Sequence, residues 1–138
     1  MGGVGPGSPR GRSPFGPDLR SLPPTLNVVV LISADPRRTH RAFEAMRIGV
    51  GIVAGENAVT FVLAGPAAHL LDTDTDELVD GDDVAKFRAS LRSLGVPFHV
   101  EAGVIPAADW NEEGHEVIPV TAEEIAALVR GARRALVF

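Results

Sequence analysis

The 138-residue chain contains no cysteine. That absence excludes disulfides, thiolate nucleophiles, zinc–thiolate centres and iron–sulfur clusters held only by cysteine. Tyrosine is also absent, and tryptophan occurs once, at Trp110. Lysine occurs once, at Lys86, so positive charge is carried almost entirely by arginine. With a formal net charge of −5 and no basic stripe interleaved with aromatics, the chain has no footprint for a nucleic-acid partner. No stretch approaches the roughly 18 consecutive apolar residues of a membrane span. The amino-terminal segment also lacks the apolar run of a secretory signal. These absences predict a cytoplasmic protein with no nucleic-acid and no membrane partner, and no motif calls for a cofactor.

Glycine and proline are not scarce, but they are unevenly placed. Residues 1–24, MGGVGPGSPRGRSPFGPDLRSLPP, are half Gly or Pro and show no apolar periodicity. Such a segment cannot bury enough surface to offset the entropy of ordering it, which predicts a flexible tail. The folded domain is then expected at residues 25–138, which is long enough to bury a real core.

Within that domain, NVVVLISA (27–34) is a continuous β-branched run suited to a strand buried on both faces. From Arg37 to Ala54 the apolar residues recur at helical spacing, with Gly49 and Gly51 inside the helix and Gly55 as its stop. Each internal glycine weakens a helix by roughly 1 kcal/mol, so close packing on a sheet is the expected reason for them. AVTFVL (58–63) predicts a second strand and AAHLLD a short apolar turn or helix. Residues 82–94 predict a helix with Val84, Phe87, Leu91 and Leu94 on one face. A third strand is expected at 97–101 and a fourth at 115–120. Thr121 and Glu124 form a T-x-x-E capping box for AEEIAALVRGARR, and ALVF closes as a last strand. This alternation predicts an α/β fold, a doubly wound three-layer sandwich around a mostly parallel sheet of about five strands.

In open parallel sheets, ligands bind at the carboxyl edge, so the residues that end strands are the functional candidates. The stretch GVPFHVEAGV (95–104) places His99 in mid-strand and Glu101 at its end, on the same side, with Phe98 and Val100 facing the other way. Glu101 has two readings: a general base, or an acid that fixes backbone N–H groups of the next loop or an arginine from a neighbour subunit. His99 is either a catalytic candidate beside it or a packed histidine. Asp35, Arg37, Arg38 and His40 follow the first strand, where helix amides and arginines would suit an anion. Asp35, Arg38, His40, His69 and Glu101 are therefore the candidate ligand-binding residues. His40, His69, His99, Glu101 and His115 would hold a divalent metal only if the fold converged them, because no local ligand spacing is present, and no metal site is predicted. The acidic run 72–83 departs from a calcium loop, with Glu77 in place of glycine and Asp83 in place of the bidentate glutamate. Trp110 is expected at a subunit contact or as a ligand platform.

Three phrases carry a family resemblance: NVVVLISADPRRTHRAFEAMRIGVGIVAGENAVTFVLAGPAAHLL, FRASLRSLGVPFHVEAG and TAEEIAALVRGARRALVF. Over about Leu26 to Phe138 the chain resembles the DsrE/DsrF-like family, which includes the TusB, TusC and TusD sulfur-relay proteins. The resemblance implies a flavodoxin-like fold and assembly into trimers or hexamers, either with itself or with related DsrE-like subunits. In active members a cysteine in a phrase like G-V-x-V-x-V-C carries a persulfide, and counting from Gly95 that position falls on Glu101. A carboxylate cannot receive a sulfane sulfur. The resemblance thus implies a non-catalytic oligomerising or partner subunit. The alternative is a small-molecule or metal-binding protein, or weak enzyme, built around Glu101.

Overall fold

A computed structural model describes residues 27–106 and 109–138. The expected tail at 1–24 lies outside the described residues. The elements follow the predicted order: β1 (Asn27–Ile32), α1 (Arg41–Ala54), β2 (Ala58–Leu63), a 3-10 helix (Gly65–Leu71), α2 (Gly81–Ser93), β3 (Phe98–Glu101), β4 (Val117–Val120), α3 (Ala122–Gly131) and β5 (Arg134–Val137). The five strands form one sheet in the order β4-β3-β2-β1-β5, and every pairing is parallel. The α/β sandwich read from the sequence is the fold observed.

Several boundaries differ from expectation; α3 stops at Gly131 rather than Arg134, because the Arg133 N–H bonds to the Asn27 carbonyl and Arg134 pairs with Val28 in the sheet, and two others have an equally local reason. The first helix starts at Arg41 rather than Arg37. Before it, the Asp35 carboxylate accepts the backbone N–H of Arg37, and the Asp35 carbonyl accepts those of Arg38 and Thr39. These bonds hold the chain in a turn and compete with helix. The fourth strand starts at Val117 rather than His115. The Asn111 side chain claims both the N–H and the carbonyl of His115, so that residue belongs to the preceding loop.

Alternation along the strands gives the sheet two unlike faces. The first face presents Val28, Val30, Ile32, Phe61, Leu63, Phe98 and Val100, which pack with Ala42, Ala45 and Met46 of α1 and Val84 and Leu91 of α2. This is the main core. The opposite face carries one continuous row, Val137–Leu31–Val62–His99–Ile118, fixed by the pairing register. Among the described residues only α3 crosses that side, and none of its residues is buried. The α3 terminus itself is well made, because Thr121 and Glu124 form the reciprocal capping box expected of them.

Candidate functional site

Strand exits decide where an open sheet can bind a ligand. After β3 the chain passes over the first face, where Trp110 packs against the core; after β4 it enters α3 on the opposite face. The two connections diverge at the paired ends Glu101 and Val120, so the topological switch point lies beside Glu101. The crevice does not leave that carboxylate free. Glu101 Oε1 accepts the backbone N–H of Gly65 at 2.9 Å, across the gap from β3 to the start of the 3-10 helix. Gly65 has φ +55°, a left-handed conformation that glycine adopts without strain. Glu101 thus fixes a backbone N–H, as in the second of its two sequence readings, but at the start of the 3-10 helix rather than in the loop that follows β3. Glu101→Ala is expected to lower the unfolding free energy by about 1–2 kcal/mol, whereas Glu101→Gln, which keeps an acceptor, retains most of it. Urea titration of the three proteins checks this.

The loop after β1 is built on Asp35. Arg37 donates to both of its oxygens at 3.0 Å, and Arg38 approaches at 3.6 Å. The Arg37 hydrogen bond holds the Asp35 carboxyl below its ordinary value, with burial opposing and the nearby positive charges assisting. Asp35 in turn raises the Arg37 value, and Asp72 and Glu77 add to it, which brings the β1 loop electrostatically close to Asp72. Arg38 is largely exposed, and His40 precedes α1 without a side-chain cap. On the adjacent exit, His69 Nδ1 lies 3.0 and 2.9 Å from the two Asp72 oxygens, at half-buried positions. That contact orients the ring and directs its other nitrogen away from Asp72. The carboxyl edge of β1 and β2 therefore carries two arginines, two aspartates and an oriented histidine.

A third cluster was not singled out from sequence. Arg88, on α2, is 1% exposed. Its Nη1 donates to the carbonyls of Leu70 (3.0 Å) and Asp72 (2.6 Å), and its Nη2 meets Glu113 at 3.0 Å. Glu113 also contacts His115 Nε2 at 3.0 Å, and His115 lies edge-on to Phe98. Trp110 adds a bond from Nε1 to the Ala68 carbonyl at 2.7 Å. Together these contacts tie the long β3–β4 loop to the 3-10 helix and α2. Trp110 is half-buried against its own core, not presented as a ligand platform. The signal for Arg88 was its spacing from Val84 and Leu91, which puts a cation in the middle of an apolar stripe.

Burial pushes the Glu113 carboxyl up, but the His115 hydrogen bond and the Arg88 charge outweigh it and hold the group below its ordinary 4.5. A depressed carboxylate contributes stability that is complete above its unfolded value and lost as pH falls through the folded one. The stability gap between the wild type and Glu113→Gln is therefore expected to be full above the ordinary 4.5 and to shrink progressively as the pH is lowered below it. Urea midpoints followed over a pH series on either side of 4.5 measure it.

The structure distributes the remaining candidates rather than gathering them. His99 faces α3, His115 faces Phe98 on the other side of the sheet, and His69 is committed to Asp72. Among the described residues no three His, Asp or Glu side chains form a group able to hold a metal ion. The convergence that a metal reading required is not formed, because His40, His69 and His115 lie on loops and the 3-10 helix, away from the side of β3 that carries His99 and Glu101. Nor does the acidic run 72–83 form such a group; Asp76 N–H bonds to Asp74, and Asp80 leads into α2. Among the described residues no helix is long and apolar enough to cross a membrane.

No protein-family model matches the chain, and no curated protein matches it. Among solved structures it is similar to the ychN protein from E. coli, at 16% identity and a TM-score of 0.67, covering 83% of this chain and 100% of that one. At that identity the likeness concerns the backbone arrangement: the chain shares the flavodoxin-like α/β fold of that protein.

Proposed function

We propose that this is a DsrE-like protein acting as a non-catalytic oligomerising or partner subunit, linked to sulfur metabolism and unable to carry a persulfide itself. One observation carries the reading. The strand end where the resemblance places a reactive cysteine holds Glu101, and one of its carboxylate oxygens accepts the Gly65 backbone N–H. A residue engaged in this way shapes a loop; it offers no sulfur for transfer.

Self-association is supported by Val137, 61% exposed on the edge strand β5. Edge strands are surfaces that proteins normally cover. Light scattering on the purified protein is expected to give a trimer or hexamer, or a defined complex with purified Tus-type subunits. A strictly monomeric protein that binds none of those subunits overturns the proposal.

A second reading, small-molecule binding or weak catalysis at the carboxyl edge, is favoured by the His69–Asp72 pair beside Arg37 and Asp35. An anion held by Arg37 and Arg38 would lie where an oriented imidazole can exchange a proton. A screen of small carboxylates and phosphates should raise the melting temperature of the wild type and not of His69→Ala with Arg37→Ala. No rise with any of them removes this reading.

A further inference from the structure

The cleft between α3 and the second sheet face has features that neither loop-fixing nor self-association requires. It has a volume of about 490 Å³ and is lined by Asn27, His99, Ile118, Val120, Ala127 and Leu128, with Glu124 and Gly131 completing the helix side. Its walls are mostly aliphatic, and its size is that of small-molecule sites. Besides Asn27, which is exposed at the rim, two polar groups break the apolar lining.

The first is His99, held in the row between Val62 and Ile118. Its Nδ1 is sealed from solvent and has no hydrogen-bond partner. A sealed N–H with no acceptor is less tolerable than a sealed lone pair, so the ring proton belongs on Nε2. That nitrogen has no bond to any described residue, and the ring lines the cleft. His99 thereby offers the cleft one hydrogen-bond donor. The second group is Glu124, whose Oε1 is fixed by the Thr121 N–H at 2.8 Å. Its negative charge opposes an anionic ligand at the same site.

We infer that this cleft is a binding site for a small, uncharged, largely apolar molecule whose carbonyl oxygen accepts the His99 Nε2 proton. The aliphatic walls take the apolar body, the imidazole fixes the polar end, and Glu124 selects against carboxylates. The site lies on the face opposite the Asp35, His69 and Arg88 clusters.

Acetophenone is a suitable probe, with ethylbenzene as the same shape lacking the acceptor and benzoate as the anion. Full-length protein with ¹⁵N-labelled histidine is titrated with each and followed by long-range ¹H–¹⁵N spectra, which also report the ring tautomer. Acetophenone is expected to shift the His99 Nε2 resonance saturably, ethylbenzene to bind about tenfold more weakly, and benzoate not to bind. Ala127→Trp, which fills the cleft from the exposed helix face, should abolish the shift while leaving the melting temperature and the light-scattering mass unchanged. Equal binding of acetophenone and benzoate, an Nδ1-protonated ring, or undiminished binding by Ala127→Trp overturns the inference. The light-scattering mass tests the subunit reading separately, so failure of one leaves the other standing.

Discussion

Arg88→Ala is expected to lower the unfolding free energy by about 3–5 kcal/mol, read from urea titration near pH 7. Three losses combine. The guanidinium satisfies two carbonyls at the end of the 3-10 helix, Leu70 and Asp72, which are otherwise left unpaired. The side chain is among the largest fully buried ones, so alanine leaves a cavity between α2 and the core. Glu113 loses its cation, which costs less, because that carboxylate is 41% exposed and water can replace part of the interaction. Arg88→Lys should recover little, since an ammonium has no planar fork with which to reach two carbonyls and a carboxylate together. A loss below about 1 kcal/mol for the alanine variant would show that the buried cation is compensated elsewhere. The large effect would make the β3–β4 loop the first segment to gain hydrogen-exchange sensitivity, because Glu113 and Trp110 both anchor there.

Opposite outcomes are expected from the same substitution at two neighbouring glycines of α1. Gly49→Ala should destabilise by about 2 kcal/mol, and Gly51→Ala should stabilise by about 0.5–1 kcal/mol. Alanine is the better helix former at either position. At Gly49, however, a methyl group would collide with the Phe61 ring. That ring is fully buried, with its centroid 5.6 Å from that of Phe98, so it cannot swing aside without disturbing the sheet. At Gly51 nothing lies within 4 Å, and the residue is exposed. Thermal melts of both variants decide the matter; stabilisation by Gly49→Ala would mean that the helix can move away from the sheet at little cost.

The two glycines also show what sequence can and cannot convey. Helical spacing placed both inside one helix, and close packing was the expected reason for both, yet only Gly49 touches the sheet. Period and propensity identify a face to within a residue or two, and the difference between contact and open solvent lies inside that margin. The fold itself was legible because β-branched runs, a capping box and regular alternation all pointed the same way. His99 and Glu101 were correctly assigned to one side of β3, since strand alternation is rigid. Their separate fates were not legible: one side chain turns to Gly65 and the other lines the α3 cleft. Those outcomes depend on which loop or helix lies over each strand end, a long-range property. The Arg88, Glu113 and His115 cluster was hidden for the same reason, because its members lie on α2 and a loop whose path carries no periodic signal.

The pairing of β1 with β5 has a consequence for how the chain acquires its structure. The Ser33 hydroxyl and N–H both bond to the Phe138 carbonyl, a separation of 105 residues. During synthesis β1 therefore emerges early and keeps one edge unpaired until almost all of the remaining chain has been made. Loop closure over such distances slows folding, and an exposed β-branched strand is adhesive while it waits. Refolding is expected to be slow for a domain of this size, with aggregation competing most strongly before β5 docks. A chaperone that holds the nascent chain would then protect the NVVVLI strand above all other segments.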